Sequence, residues 1–239
     1  MPKRFFVVGD IHGCPEELAI LVQHLEKNEG LSQSDGLLFI GDYVDRGPGS
    51  KDVIDFLIGL RAGYPDAIFL KGNHEDMLLS FLGYPGREGM AYLQNGGAEC
   101  VTSYGIEAGR AKQTTREELA PKVPAEHVQF LRALESYVLT PDFVFAHAGL
   151  NPLRDLKHQV DEDLFWIRDE FISNLHYFRK TVVFGHTPYE NVLFNLPYKI
   201  GIDTGLVYGN KLSCLEVVGH KLLQVPRGKK EVIVKEGAW

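Results

Sequence analysis

Cysteine is scarce in this 239-residue chain, and no two cysteines form a C-x-x-C pair. The three thiols, Cys14, Cys100 and Cys214, are odd in number and far apart, which is a poor framework for disulfides or structural zinc. The sequence also lacks the roughly 18 consecutive apolar residues of a membrane span. No signal-peptide cleavage site follows the apolar run near its start. We therefore expect a soluble protein of the reducing cytoplasm.

Positive charge is not in excess either. The chain has 25 Lys+Arg against 32 Asp+Glu, a formal net charge of −7, which argues against nucleic acid or a membrane surface as a partner. A hydrophobic fraction of 44 % and a charged fraction of 24 % are typical of globular proteins and exclude a mainly disordered chain. No repeat or linker interrupts the sequence, and no obligate partner is evident. We expect a single domain over residues 1–239.

Short apolar runs alternate with amphipathic helical patterns in the first third of the chain. Runs at 5–8, 37–40 and 67–70 each precede a helical pattern, an order typical of parallel strands joined by helices. The Gly-rich stretch 83–109 has no clear period, and we interpret it as loops and short helices that form either a surface elaboration or a cap over the substrate. Short apolar runs separated by turns follow in the second half. These patterns predict an α/β fold.

Polar side chains follow five of the predicted strands. They occur in the sequences GDIHG at 9–13, GDYVDRG at 41–47, GNHE at 72–75, HAG at 147–149 and GHT at 185–187. Each fragment alone is explained by an ordinary turn or a hydrogen-bonded histidine. Parallel strands, however, bring their carboxyl ends to one edge of a sheet. So many carboxylates and imidazoles at one edge favour metal binding over mutual repulsion, and the pattern therefore predicts a metal site.

The same five motifs, in this order, resemble the signature of the PPP family of metallophosphoesterases, which includes phosphoprotein phosphatases and their bacterial and phage relatives. The resemblance extends from Asp10 to His186 and implies a calcineurin-like β-sandwich of two mixed sheets flanked by helices. It also implies two divalent cations, of which the first is bound by Asp10 and His12 and both are bridged by Asp42. The ligands implied for the second cation are Asn73, His147 and His186.

These residue types suit the hydrolysis of a phosphate ester. Two cations that share a water can lower its pKa and direct it in line at phosphorus, so a bridging hydroxide is the expected nucleophile. No placed nucleophile, such as a cysteine in a basic loop, indicates a phosphoenzyme intermediate. Mixed oxygen and nitrogen ligands favour Mn, with Fe, Zn and Ni as alternatives. The resemblance further implies that His74 is the general acid, held as imidazolium by Asp45.

The remaining candidates would bind the phosphoryl group. The motif that contains Arg46 implies a guanidinium bonded to two phosphate oxygens at once. Asn73 is a neutral ligand, so it limits negative charge where an anionic substrate approaches. Arg168 follows a W-x-R pattern of the phage and bacterial branch, and an ion pair with Asp169 on a surface helix is the alternative. Asp203, in the sequence IDTG, is a candidate to support the ligands.

Three functions are compatible with these residues. The first is hydrolysis of phosphomonoesters, with phosphoserine or phosphothreonine in proteins as the expected substrate and phosphotyrosine or small phosphates left open. The second is hydrolysis of diadenosine tetraphosphate, since the relatives with that activity share GDIHG and a GPGS-like sequence, here at 47–50. Those relatives typically have Ala in place of Asp45 and GNHD in place of GNHE, which favours the first function. The third is a non-catalytic metal-binding scaffold, which would not need His74, Asp45 or Arg46.

Overall fold

The structure is a computed structural model that describes residues 4–87 and 91–239. Two β-sheets pack face to face, and helices cover their outer faces. The described strands are β1 (Phe5–Val8), β2 (Gly36–Phe39), β3 (Ile68–Phe69), β4 (Tyr137–Leu139), β5 (Phe143–Ala146), β6 (Thr181–Phe184), β7 (Leu193–Asn195), β8 (Lys199–Gly201), β9 (Lys211–Glu216), β10 (Lys221–Pro226) and β11 (Ile233–Lys235). The described α-helices are α1 (Pro15–Lys27), α2 (Ser50–Gly63), α3 (Asn73–Phe81), α4 (Gly97–Ser103), α5 (Arg116–Leu119), α6 (Ala125–Arg132), α7 (Asp161–Trp166) and α8 (Asp169–Ile172).

Both sheets are mixed. The first has the strand order β11-β10-β9-β1-β2-β3, and the second has the order β4-β5-β6-β8-β7. Strands β1, β2 and β3 are parallel, whereas β9 pairs antiparallel with β1. In the second sheet β5, β6 and β8 are parallel, while β4 and β7 run antiparallel at the edges. The α/β sandwich of two mixed sheets flanked by helices is therefore confirmed.

Alternation of side chains along each strand explains how the layers pack. In β1, Phe5 and Val7 face the second sheet, and Phe6 and Val8 face the helices of the first sheet. The rings of Phe5 and Phe145 stack across the two sheets with centroids 5.1 Å apart. Because each buried side chain of this size contributes about 1.5–3 kcal/mol, burial on both faces fixes the register of the central strands.

The helices follow the polar turns at the strand ends. Helix α1 begins at Pro15, whose missing N–H is not needed in a first turn, and its buried residues Leu18, Leu21, Val22 and Leu25 share one face. Helix α3 begins at Asn73, immediately after the turn that follows β3. None of the described helices is both long and apolar enough to cross a membrane.

The Gly-rich region 83–109 is built from short segments in its described part. A 3₁₀ turn at Tyr92–Asn95 leads into α4 and a further 3₁₀ turn begins at Ala108, so the expected loops and short helices are confirmed there. Residues 88–90 of this region lie outside the described residues. Its role as a cap, and the assignment of residues 1–239 to one domain, stay predictions.

Candidate metal centre

The ends of five strands deliver buried polar side chains to one place. Asp10 and Asp42 come just after β1 and β2 of the first sheet, and Asn73 begins α3 just beyond β3. His147 follows β5 and His186 follows β6 of the second sheet. The structure thus brings together side chains that are up to 176 positions apart, as the hydrogen bond from the His186 amide to Asp10 Oδ2 shows.

Asp42 lies at the middle of this cluster. Its Oδ2 is 3.4 Å from His12 Nε2, and its Oδ1 is 3.3 Å from His147 Nε2. Two groups of potential ligand atoms, each within 4.8 Å, share this carboxylate: one comprises His12, Asp42 and His74, and the other Asp42, His147 and His186. A carboxylate that belongs to both groups can bridge two cations.

The histidine tautomers prepare Nε2 for metal binding. His12 Nδ1 lies 2.9 Å from the carbonyl of Val44, and His147 Nδ1 lies 3.0 Å from the carbonyl of Ile40. A carbonyl accepts a hydrogen bond, so each Nδ1 is the protonated nitrogen in the neutral ring and each Nε2 has the free lone pair. Each neutral ring can therefore offer Nε2 to a cation, and this nitrogen of His147 lies 3.3 Å from Asp42 Oδ1 and 3.2 Å from Asn73 Oδ1.

The donor set fits divalent cations. Among the described side chains, Asp10 Oδ1 and His186 Nε2 are buried and have no hydrogen-bond partner. An unpaired buried polar atom costs about 1–3 kcal/mol, more if charged, and a cation removes that cost. Burial opposes charge on His147, but Asp42, Asp10 and Glu75 outweigh it and raise the pKa of this ring to about 9. The mixed O and N donors of the site suit Mn, Fe, Zn or Ni.

Backbone strain is concentrated in the same place. Left-handed φ angles at non-glycine residues cost of order 1–3 kcal/mol each and persist only where the surroundings enforce them. Most of the described non-glycine residues with positive φ belong to this site, namely His12 (45°), Asp42 (53°), Asp45 (71°), Arg46 (65°) and His186 (63°). The turns are thus held in a demanding conformation that places the side chains.

Glycine at 72 is required by packing rather than by its φ angle. A Cβ on Gly72 would overlap Asp42 Oδ1 and would lie 2.6 Å from the amide nitrogen of Asp42. The chain after β3 therefore passes directly over the central carboxylate, which no larger residue would allow.

Glu75 is a supporting residue that the sequence reasoning missed. Its carboxylate accepts hydrogen bonds from the amides of Asp42, Tyr43 and Gly72 at 2.9, 2.8 and 2.9 Å. It therefore ties the turn after β2 to the start of α3. The available signal was its position, since a glutamate three residues after a helix N-cap commonly bonds back to the cap amide.

The two residues of the predicted acid pair are in direct contact. Asp45 Oδ2 lies 2.7 Å from His74 Nδ1, and both side chains are fully buried. His74 Nε2 has no partner among the described residues. Burial lowers the pKa of His74 to about 3 and raises the pKa of Asp45 well above its usual range. Burial thus favours the uncharged pair, in contrast to the imidazolium expected from the sequence.

The two predicted phosphate-binding arginines contact different residues of the site and its surroundings. Arg46 Nη1 is 2.7 Å from His12 Nε2, and its guanidinium lies 5.7 Å from the centre of the exposed Tyr208 ring. Arg168 is exposed and donates to Thr187 Oγ1 at 3.1 Å, one residue from His186. The positive charge of Arg168 lowers the pKa of both His74 and His186, after the larger effect of burial.

Asp203 lies behind the candidate ligands. It is buried, and its Oδ1 accepts a hydrogen bond from the Gly205 amide at 2.9 Å. Burial raises the pKa of Asp203 to about 6, with a further contribution from the charge of Asp42. Its charge in turn raises the pKa of Asp10, after the larger effect of burial. The supporting role expected for Asp203 stays a prediction.

Fold and site together define a metal-dependent phosphoesterase, and the chain belongs to the calcineurin-like phosphoesterase family, whose model matches residues 3–209. The family uses a binuclear divalent metal centre and hydrolyses phosphoester bonds. The chain is 29 % identical over 248 residues to the asymmetrical bis(5'-nucleosyl)-tetraphosphatase PrpE of Bacillus velezensis, covering 92 % of this chain and 91 % of that protein.

Two solved structures are similar over nearly the whole chain. One belongs to a candidate diadenosine tetraphosphatase, with a TM-score of 0.67, 25 % identity, and coverage of 95 % of this chain and 96 % of that one. The other is the cold-active protein-tyrosine phosphatase of a psychrophile Shewanella, with a TM-score of 0.59 and 17 % identity over 98 % of this chain and 80 % of that one. The second likeness concerns the fold alone.

Proposed function

We propose that this protein is a metal-dependent phosphomonoesterase that hydrolyses phosphoserine or phosphothreonine in proteins. The observation that carries the proposal is the buried contact between Asp45 and His74 Nδ1, which leaves His74 Nε2 as the ring nitrogen available to a leaving oxygen. Serine and threonine alkoxides are poor leaving groups, so their expulsion depends on such a donor.

The proposed roles of the ligands are those that the sequence resemblance implies. Asp10 and His12 would bind one cation, Asp42 would bridge, and the ligands of the other would be Asn73, His147 and His186. When bound, the two cations would supply an activated water and positive charge for the phosphoryl group. The chain itself contributes rigid, buried donors whose tautomers are set by backbone carbonyls.

Arg46, Arg168 and Asn73 would hold the phosphoryl group. A guanidinium keeps its charge and offers two parallel N–H donors, so two arginines can fix the three terminal oxygens. Arg46 is half-buried and rigidly placed, whereas Arg168 lies at the exposed rim and can close on the substrate. Asn73 would add a neutral amide close to the anion.

His74 would transfer a proton from Nε2 to the leaving oxygen. Arg46, His147 and Arg168 all disfavour a positive charge on this ring, in addition to burial. A phosphoryl dianion held between the arginines would offset their charge and favour the protonated ring at the moment of reaction. Asp45, bonded to Nδ1, then stabilises the imidazolium.

Hydrolysis of dinucleoside tetraphosphates is the second candidate. It is favoured by the relatives that carry this name and match more than nine-tenths of both chains, such as that of Bacillus velezensis. A nucleotide leaving group is far more acidic than a serine alkoxide and needs less protonation. The two candidates therefore differ in how much they need Asp45.

The test compares substrates in the wild type and in Asp45→Asn, a change that the left-handed backbone tolerates. With Mn²⁺ present, we measure kcat/KM on phosphoserine, phosphothreonine and phosphotyrosine peptides and on diadenosine tetraphosphate. The wild type should prefer a phosphoserine or phosphothreonine peptide. Asp45→Asn should lower that activity by about 10- to 100-fold, part of the effect of a general acid, and should affect the dinucleotide less.

Asp55→Asn is a matched control, because Asp55 Oδ1 also lies 2.8 Å from a buried histidine, His127, but outside the site. It should leave every rate unchanged. A wild-type preference for diadenosine tetraphosphate would make the second candidate the function. No turnover of any phosphoester, p-nitrophenyl phosphate included, would leave only a metal-binding scaffold.

A further inference from the structure

A buried tyrosine extends the acid pair by one residue. Tyr92 Oη donates a hydrogen bond to Asp45 Oδ1 at 2.8 Å, while Asp45 Oδ2 lies 2.7 Å from His74 Nδ1. All three side chains are fully buried. Tyr92 lies in the Gly-rich region 83–109, and the motifs discussed above do not include it.

The direction of these hydrogen bonds fixes the Asp45 carboxylate. A buried phenol beside a carboxylate acts as donor, so Oδ1 is occupied by Tyr92 and Oδ2 is the oxygen left for His74. A carboxylate held at one oxygen cannot rotate freely. Tyr92, together with the Cys100 thiol that also contacts Asp45, therefore limits the orientations open to this carboxylate beside His74.

The backbone near Tyr92 also supports the turn that carries Asp45. The Arg46 amide donates to the Gly96 carbonyl at 2.9 Å, and a Cβ on Gly96 would lie 2.6 Å from Arg46 Cγ. Asp45 and Arg46 both have left-handed φ angles, so their turn needs such external support.

The Tyr92 ring is itself held firmly. Its centroid lies 5.3 Å from that of Phe81, at the end of α3, and a Cβ on Gly97 would lie 2.6 Å from the ring. The ring therefore has little room to turn away, and its hydroxyl stays directed at Asp45.

We propose that Tyr92 is a positioning residue for proton donation, because it orients Asp45 and, through Asp45, His74. The Gly-rich region would then help to position the general acid as well as cover the substrate. The proposal rests on the proposed role of the acid pair. If it is correct, loss of the Tyr92 hydroxyl slows reactions with poor leaving groups. A tyrosine that only fills the core would influence all substrates equally.

The test is Tyr92→Phe, which removes one oxygen and keeps the ring. We measure kcat and KM in the Mn²⁺-loaded protein for a phosphoserine peptide and for aryl phosphates of graded leaving-group acidity. We expect kcat on the peptide to fall about tenfold, the scale of a lost buried hydrogen bond. KM should not change, and kcat on p-nitrophenyl phosphate should fall less than about twofold, because nitrophenolate needs little protonation.

Tyr104→Phe is the matched control. Tyr104 is also buried in this region, and its hydroxyl lies 2.8 Å from a histidine nitrogen, His127 Nδ1, away from the site. Its removal should cost similar stability in a thermal melt but should leave the leaving-group dependence as in the wild type.

Equal losses on all substrates, or no loss, would overturn the role of Tyr92. Asp45→Asn separates this result from a failure of the proposed function. If Asp45→Asn steepens the leaving-group dependence and Tyr92→Phe does not, Tyr92 alone is excluded. If neither variant does, the acid pair itself has no role in proton donation, and both proposals fail.

Discussion

The two arginines near the candidate metal centre differ in how firmly the protein holds them. Arg46 is half-buried, with its backbone bonded to Gly96 and its guanidinium beside His12. Arg168 is exposed, and its guanidinium bonds to Thr187, next to His186. The protein thus holds Arg46 through both its backbone and its side chain, whereas the exposed Arg168 guanidinium is held through Thr187.

We expect Arg168→Ala to reduce kcat/KM on a phosphomonoester by about 10- to 100-fold, because it removes a charged hydrogen bond worth about 1.5–3 kcal/mol. Arg168→Lys should recover only part of the loss, since an ammonium lacks the two-point contact. Steady-state kinetics with p-nitrophenyl phosphate measures both. Arg110→Ala, which breaks an exposed pair with Glu118 outside the site, should change nothing; the same result for Arg168→Ala would place Arg168 among ordinary surface charges.

Residues that lie in motifs could be predicted, and residues that meet them through tertiary contact could not. The strand-end pattern indicated the clustering of Asp10, Asp42 and His186, because parallel strands share an edge. Tyr92 has no comparable signal, since its hydroxyl reaches Asp45 across 47 positions of sequence. The charge state of His74 was also beyond the sequence, because it depends on how completely the fold buries the ring.

At the level of single elements, the turn between β3 and α3 controls the centre most directly. Gly72→Ala should place a methyl group against Asp42 and destabilise the protein by about 1–3 kcal/mol, the usual cost of overpacking. Bound Mn per chain should fall as well, because Asp42 must move. Thermal melts and metal analysis of the purified protein measure the two effects.

Gly59→Ala is the matched control, because Gly59 lies in α2 and a Cβ there meets nothing within 4 Å. It should keep the metal and gain up to about 1 kcal/mol from reduced unfolded-chain entropy. If Gly72→Ala behaved in the same way, the close approach of this turn to Asp42 would have no functional meaning.

Element prediction succeeded where an apolar run or a helical period is long enough to detect. Strands β1 and β2 lie within one residue of the predicted runs at 5–8 and 37–40, and helices α1 and α2 follow them as the pattern predicts. Strand β7 and helices α7 and α8 were missed, because their three to six residues form neither a continuous apolar run nor a helical period. Pairing of β9 beside β1 joins segments about 200 positions apart, and local sequence contains no information about it.

On the scale of the whole molecule, the candidate ligands come from both sheets. Asp10 and Asp42 extend from the first sheet, and His147 and His186 extend from the second. Cations bound between them would add a second link beside the apolar contacts that hold the sheets together. Metal affinity is then part of the folding free energy.

Chelation should therefore abolish activity and also lower the melting temperature. At a free metal concentration of 100 times Kd, a bound cation contributes about 2.7 kcal/mol, which corresponds to roughly 5–10 °C for a protein of this size. Mn²⁺ should restore both properties best. In Asp42→Asn the melting temperature should no longer rise when metal is added. Full activity in protein verified as metal-free would contradict the metal-dependent mechanism itself.

The left-handed backbone at Asp45 and Arg46 lowers the stability of the turn that holds these two proposed functional side chains. Glycine would relax this turn at either position, yet it would remove the partner of His74 or the guanidinium. If Asp45 and Arg46 have the roles proposed above, selection for thermal stability alone would favour glycine at both positions, whereas selection for activity would retain the strained turn.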